Sequence, residues 1–309
     1  MFIGNKAIAQ GSDHTRNGKN IPCQDATSFA VIEYGGDCCE TAAIAIVADG
    51  HGSPAYFRST IGSYYAVNIA KGAISNFLID SFQKKTIFYS ETKQSDILEE
   101  ALKELETKIF NCWQSVILAH FNKKKFTVEE KTHCKEHEIK NPKTHDEIFR
   151  IYGSTLVAVV ITKNFWFHFQ LGDGWCVVFD NTGIVKGALP YLHNSDSKTD
   201  SLCQLDAHNR FKHCFEHNKI TGAFVMTDGV SESFHEDIQK NEQLLLNWLP
   251  GVFDTLVKEP ETFEEQLQKV IKKRAKGWGD DCSIAGVFDY GMAVKLLIEH
   301  EANSIKEKS

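Results

Sequence analysis

An α+β fold is predicted for this chain, and three features of the sequence point to it. The stretches 156–162, 165–171 and 175–179 are β-prone and follow one another with only turns between them, as an antiparallel meander does. Residues 55–79, 95–121, 237–249 and 261–275 instead repeat their apolar positions at helical spacing. Several short apolar runs also stop abruptly at aspartate–glycine corners, the clearest being Ala42–Ala48 followed by Asp49-Gly50-His51-Gly52.

Taken in order, residues 1–41 read as a first hairpin or strand pair: Phe2–Ala9, then Thr27–Tyr34, with a polar loop between them. That loop holds His14, Arg16 and Lys19 and leads to Gln24-Asp25. Basic residues beside an acidic corner suit a phosphate, and a solvated loop accounts for them as well. Ala42–Ala48 is short and wholly apolar, as in a strand buried on both faces. Its Asp-Gly ending reads either as a metal corner or as a hairpin turn. The spacing of Ile61, Tyr65 and Ile69 beyond it is helical and does not fit a returning strand.

Residues 122–150 are charged and carry His133, Cys134, His137 and His145, so a surface excursion is predicted; no C-x-x-C pair accompanies them to make a zinc site. Residues 186–219 lose periodicity and read as a loop-rich flap, in which His213 and His217 could share a helical face. Further corners stand at Gly172-Asp173-Gly174, Thr227-Asp228-Gly229 and Gly279-Asp280-Asp281, the last opening a strand from Cys282 to Phe288. Residues 1–290 are expected to form one domain, with 291–309 a short helix and a frayed tail.

The bulk composition narrows the partners. A net charge of -7 offers nucleic acid or an anionic membrane no electrostatic attraction. No apolar run is long enough to span a bilayer, and 9 cysteines without a regular frame suit reduced thiols in a cytoplasmic protein. The carboxylates at strand ends are the informative feature. Asp49, Asp173, Asp228 and Asp280 can meet at one edge of a stacked β core, and hard divalent cations take oxygen ligands of this kind.

Six blocks in this order resemble the metal-dependent serine/threonine protein phosphatases of the PPM, or type-2C, family, in its bacterial branch. They are Gln24-Asp25, A-D-G-H-G at 48–52, G-S-T at 153–155, G-D-G at 172–174, T-D-G-V at 227–230 and G-D-D-C-S at 279–283. The resemblance implies a four-layer αββα sandwich of two antiparallel sheets flanked by helices. It implies Mn²⁺ or Mg²⁺ as cofactor: two ions, with a weaker third. Asp49 would bridge two ions, Gly50 would lend its carbonyl, and Asp228 and Asp280 would complete the first site. Asp173 would serve the third ion, Asp25 and Gln24 the second, and His51 would be the general acid.

The chain departs from the family at three points. Gln24 stands where a glutamate is usual, Asn20 where an arginine anchors phosphate, and Asp281 where an asparagine is common. Arg16 or Lys19 would then take the phosphate, and Asp281 would add negative charge beside the site. The implied reaction is hydrolysis of phosphoserine or phosphothreonine by metal-activated water, without a covalent intermediate. The implied partners are a phosphorylated protein and a cognate kinase. A regulatory module without catalysis and a phosphatase for non-protein phosphoesters are the competing readings.

Overall fold

A computed structural model describes residues 1–16, 21–35, 40–83, 95–191 and 199–306, with the backbone alone for 95 and 300–306. Lys19, Asn20 and the Cys38-Cys39 pair lie outside the described residues. The apolar run ending at Asp49 becomes β3 (Glu40–Ala48), and its alternation divides it between two cores. Ala42, Ile44, Ile46 and Ala48 face a helical layer, whereas Ala43, Ala45 and Val47 face a second sheet. The period of two in a strand makes one segment serve both layers.

Two five-stranded antiparallel sheets result. One has the order β2 (Ala26–Tyr34), β3, β4 (Leu156–Thr162), β5 (Trp166–Leu171), β8 (Lys212–Glu216). The other runs β1 (Phe2–Ala9), β10 (Cys282–Asp289), β9 (Ile220–Met226), β6 (Trp175–Asp180), β7 (Val185–Gly187). Small residues at the sheet interface, including Ala43, Ala45, Ala223 and Ala285, let the two sheets stack around Val157, Val159 and Val225. Helices α1 (Ser59–Gln83) and α2 (Ser95–Lys123) cover the first sheet, and α6 (Ile238–Lys258) and α7 (Phe263–Trp278) the second. This is the expected αββα sandwich.

Several expectations change at the level of pairing. Phe2–Ala9 and the second strand are not partners: β1 pairs with β10 and β2 with β3, in different sheets. The expected three-strand meander also divides. β4 and β5 pair, but after Gly172, at φ +107, the chain crosses and β6 pairs with β9 in the other sheet. That backbone conformation suits glycine and strains other residues. Helix α6 continues through Pro250 because Leu245, Leu249, Phe253 and Leu256 keep one buried stripe beyond it. The C-terminal segment forms α8 (Tyr290–Lys306), a longer helix than expected.

The flap region supplies the edge strand β8, which carries His213, so His213 and His217 share no helical face. His213 lies instead between two carboxylates of α2, its Nδ1 2.6 Å from Glu106 and its Nε2 2.8 Å from Glu99. Residues 122–150 are likewise more ordered than a surface excursion. α3 (Val128–Glu136) and α4 (His145–Ile151) each begin with a capping box, Thr127 with Glu130 and Thr144 with Glu147. No zinc-like cluster forms there among the described residues.

Arg58, at the foot of α1, fastens α3 to the body of the protein. Its guanidinium donates to both Glu130 oxygens at 2.6 and 2.8 Å, to the Tyr152 hydroxyl at 2.7 Å and to the Lys124 carbonyl. The Arg58 side chain is 3% exposed and Glu130 19%, so removing Glu130 strands a buried charge. Glu130→Ala is expected to lower unfolding free energy by about 3 kcal/mol in chemical denaturation. Hydrogen exchange should then show α3 losing protection before the sheets do.

Candidate functional site

The corner after β3 is held from below by the Gly153-Ser154-Thr155 segment that enters β4. Thr155 accepts the Asp49 N–H on its hydroxyl and donates its own N–H to the Asp49 carbonyl, at 2.9 and 2.8 Å. Gly50 forms a bridge with Ser154, and the His51 N–H donates to the Gly153 carbonyl at 3.3 Å. A Cβ on Gly153 would stand 2.5 Å from both the His51 ring and the Tyr56 ring, so only glycine allows that approach. His51 meets the ring of Tyr56 edge-on, with centroids 4.7 Å apart.

Asp173 arrives from the β5–β6 crossover and Asp228 from the start of α5 (Asp228–Ser231), directly after β9. One carboxylate oxygen each from Asp49, Asp173 and Asp228 lies within 4.8 Å of the others. Asp25 and Asp49 approach closely enough to share a hydrogen bond, yet one Asp25 oxygen has no donor. Its other oxygen accepts from the Thr227 hydroxyl at 2.8 Å. Asp173 repeats this pattern, with Thr199 donating to one oxygen and, among the described residues, nothing donating to the other. Gln24 donates its side-chain amide to the His51 carbonyl and to Ser59, which leaves its buried Oε1 without a partner. Buried acceptors without donors, gathered at one point, fit a hard cation.

Burial and mutual repulsion push Asp25, Asp49 and Asp228 well above the usual carboxylate range. Asp280, at the exposed rim, is also raised, first by partial loss of solvent and then by Asp281. Burial lowers His51, against the opposing pull of Asp173. Asp49, Asp173, Asp228, Asp280 and His51 line a cleft of about 640 Å³ together with Tyr56, Thr199 and Gln204, and Asp25 lies outside its lining.

Not every expected residue joins the cluster. Asp280 lines the cleft without belonging to the three-carboxylate group, while Asp173, expected at a third and weaker ion, belongs to it. Arg16 pairs with exposed Asp13 at 2.8 Å and does not line the cleft. Asp281 does more than add charge. It is buried, and its two oxygens accept the Gly11 and Gln24 N–H groups at 2.7 and 2.6 Å, with His14 Nδ1 3.1 Å away. One carboxylate thus fastens both ends of the 11–24 loop. Tyr56, Thr155, Thr199, Gln204 and Thr227 were not picked out individually from the sequence. Thr155 and Thr227 do sit inside motif blocks, but the acids they support, Asp49 and Asp25, belong to other blocks.

An open cleft lined by carboxylate oxygens on an αββα sandwich defines a candidate divalent-metal centre. A family model described as Protein phosphatase 2C matches residues 10–272, and the chain belongs to that family. Among solved structures, it is similar to PppA, a key regulatory component of T6SS in Pseudomonas aeruginosa, at 12% identity, covering 93% of this chain and 97% of that one, TM-score 0.50. A C. elegans sex determining protein is 14% identical, over 96% of this chain and 67% of that one, TM-score 0.50. The catalytic domain of PstP, in complex with 2 manganese ions, is 12% identical over 93% and 97%, TM-score 0.48. Among curated proteins nothing matches. Mn²⁺ or Mg²⁺ is the cofactor that the donor set suits.

Two outcomes follow from this electrostatics. With folded pKa values raised, the metal-free protein binds more protons than the unfolded chain above about pH 4. The carboxylates therefore favour the fold at low pH, and this stability is lost as pH rises through their folded values. Calorimetric titration with Mn²⁺ should show tighter binding at pH 8 than at pH 6, with proton release visible as a buffer-dependent enthalpy. Asp281→Ala leaves two backbone donors unmet and is expected to cost about 2–4 kcal/mol in chemical denaturation.

Proposed function

We propose that the protein hydrolyses phosphoserine and phosphothreonine esters in proteins. The observation that carries this reading is the donor-poor group Asp49–Asp173–Asp228 beside His51 in an open cleft. Asp49, Asp173 and Asp228 would hold the ions with the Gly50 carbonyl. Asp280, Asp25 and the free Oε1 of Gln24 would take outer or water-mediated positions. Mg²⁺ or Mn²⁺ bound there supplies Lewis acidity, which acidifies water and offsets phosphoryl charge.

The residues of the chain account for the rest. Water adds to phosphorus, the bond from phosphorus to the serine or threonine oxygen breaks, that oxygen takes a proton from His51, and the proton released by the attacking water restores His51 through solvent. The products are inorganic phosphate and the free alcohol. Burial makes His51 a stronger acid once protonated, and Tyr56 with the Gly153 carbonyl fixes its orientation. Among the described residues no cysteine lines the cleft to act as nucleophile. Burial and neighbouring Asp281 push the Cys23 thiol far up, and Cys282 donates to the Gly229 carbonyl. The partners on this reading are a phosphorylated protein and the kinase that modifies it. No helix among the described residues is long and apolar enough to cross a membrane.

Steady-state assays with an aryl phosphate and a phosphothreonine peptide test the proposal. Asp228→Ala should lose at least about 100-fold in kcat/KM on both substrates. Activity unchanged by chelator would rule the metal reading out, and aryl phosphate turnover without peptide turnover would rule out the protein substrate. His51→Gln should cost about 10²–10⁴-fold on the peptide, whose alkoxide needs a proton, and much less on the aryl ester.

A further inference from the structure

The cleft described above is walled by acids, yet one cation stands at its edge. Arg150 occupies the last turn of α4, and its guanidinium lies 5.9 Å from the centroid of the Tyr56 ring. Tyr56 in turn meets His51 at 4.7 Å. The backbone repeats the connection: the Arg150 carbonyl accepts the N–H of Gly153, the glycine under His51 and Tyr56.

Arg150 is exposed, and its ring contact with Tyr56 is not accompanied by an ion pair among the described residues. Asp146, one helical turn earlier, does not close one with it, and Glu147 is taken up by the capping box. By contrast, Arg16 is bound to Asp13, Arg58 to Glu130, and Arg210 to Asp200 and Asp206. An exposed arginine beside an aromatic ring, with no ion pair among the described residues, has its donors available for a carboxylate or a phosphate.

Its position decides between the reacting phosphoryl group and its surroundings. The phosphoryl group belongs at Asp49, Asp173 and Asp228, and the leaving oxygen belongs at His51. Arg150 meets the Tyr56 ring, which also meets His51, so it stands on the His51 side of the cleft, where on the reading above the leaving alcohol would continue as a peptide. We propose that Arg150 is a specificity-determining residue that selects phosphoproteins with an acidic residue directly beside the phosphoserine or phosphothreonine. This rests on the protein-phosphatase reading above. The cleft acids repel an acidic peptide, and Arg150 offsets that repulsion at one point on the leaving-group side.

The test compares three phosphothreonine peptides that differ only in the flanking residues, glutamate, alanine or lysine, with Mn²⁺ present. The readout is the ratio of kcat/KM between the glutamate and lysine peptides, which is independent of the amount of folded enzyme. Wild type is expected to prefer glutamate by about 10-fold, as befits one charge-assisted contact. Arg150→Gln should bring the ratio close to one, Arg150→Glu should invert it, and Arg150→Lys should retain part of it. A wild-type ratio near one, or a preference that survives Arg150→Glu, overturns the assignment while the phosphatase reading stands. Aryl phosphate hydrolysis with no turnover of any peptide overturns both.

Discussion

Carboxylates at the edge of the two sheets repel one another, and much of the local structure serves to hold them together. Asp25, Asp49 and Asp228 are each raised by burial and by their neighbours, so the arrangement opposes its own charge. It persists because each acid is carried on a strand end or helix start whose position is set elsewhere. β3 is fixed by two cores, β9 and β10 by a shared register, and Thr155 and Thr227 fasten the corners to neighbouring strands. Cation binding removes the repulsion that the fold sustains.

The same economy appears in the groups around the acids. Gln24 spends its amide on the His51 carbonyl and Ser59 and keeps its oxygen free toward the cleft. A glutamate there would have no N–H to give and would add another charge to the group. Asp281 is different again, because its charge is absorbed by the Gly11 and Gln24 N–H groups. Two adjacent aspartates of the same motif therefore have opposite duties: Asp280 faces the cleft and Asp281 ties the N-terminal loop to the second sheet.

The segment between α2 and β4 joins the site through contacts at its two ends. Arg58 and Glu130 secure α3, and His133 Nε2 lies 2.9 Å from the Pro54 carbonyl in the loop that follows His51. Phe57 packs against both Phe126 and His133. The helices thus brace the loop that bears Tyr56, and α4 brings Arg150 to the same ring. What reads in the sequence as a charged excursion is in the structure one wall beside His51 and Tyr56.

The sequence by itself marked the carboxylates that the structure brings to one cleft. Asp49, Asp173, Asp228 and Asp280 end or open apolar runs, and a charged group at such a boundary stands out whatever the strands pair with. Period-two strands and the helical spacing of α1, α2, α6 and α7 also marked an α+β chain, and the resemblance carried by the six blocks implied the αββα layers. Only the tertiary structure decided partners. β6 alternates in the same way whichever sheet receives it, so its crossing after Gly172 leaves no mark in the pattern of its side chains. Asp281 and Asp280 are the same residue type at adjacent positions, and what separates them is which one finds backbone donors. Arg150 is one more charge on a short helix until Tyr56 lies beneath it. Local pattern records burial and periodicity, whereas the choice of partner depends on contacts between residues far apart in the chain.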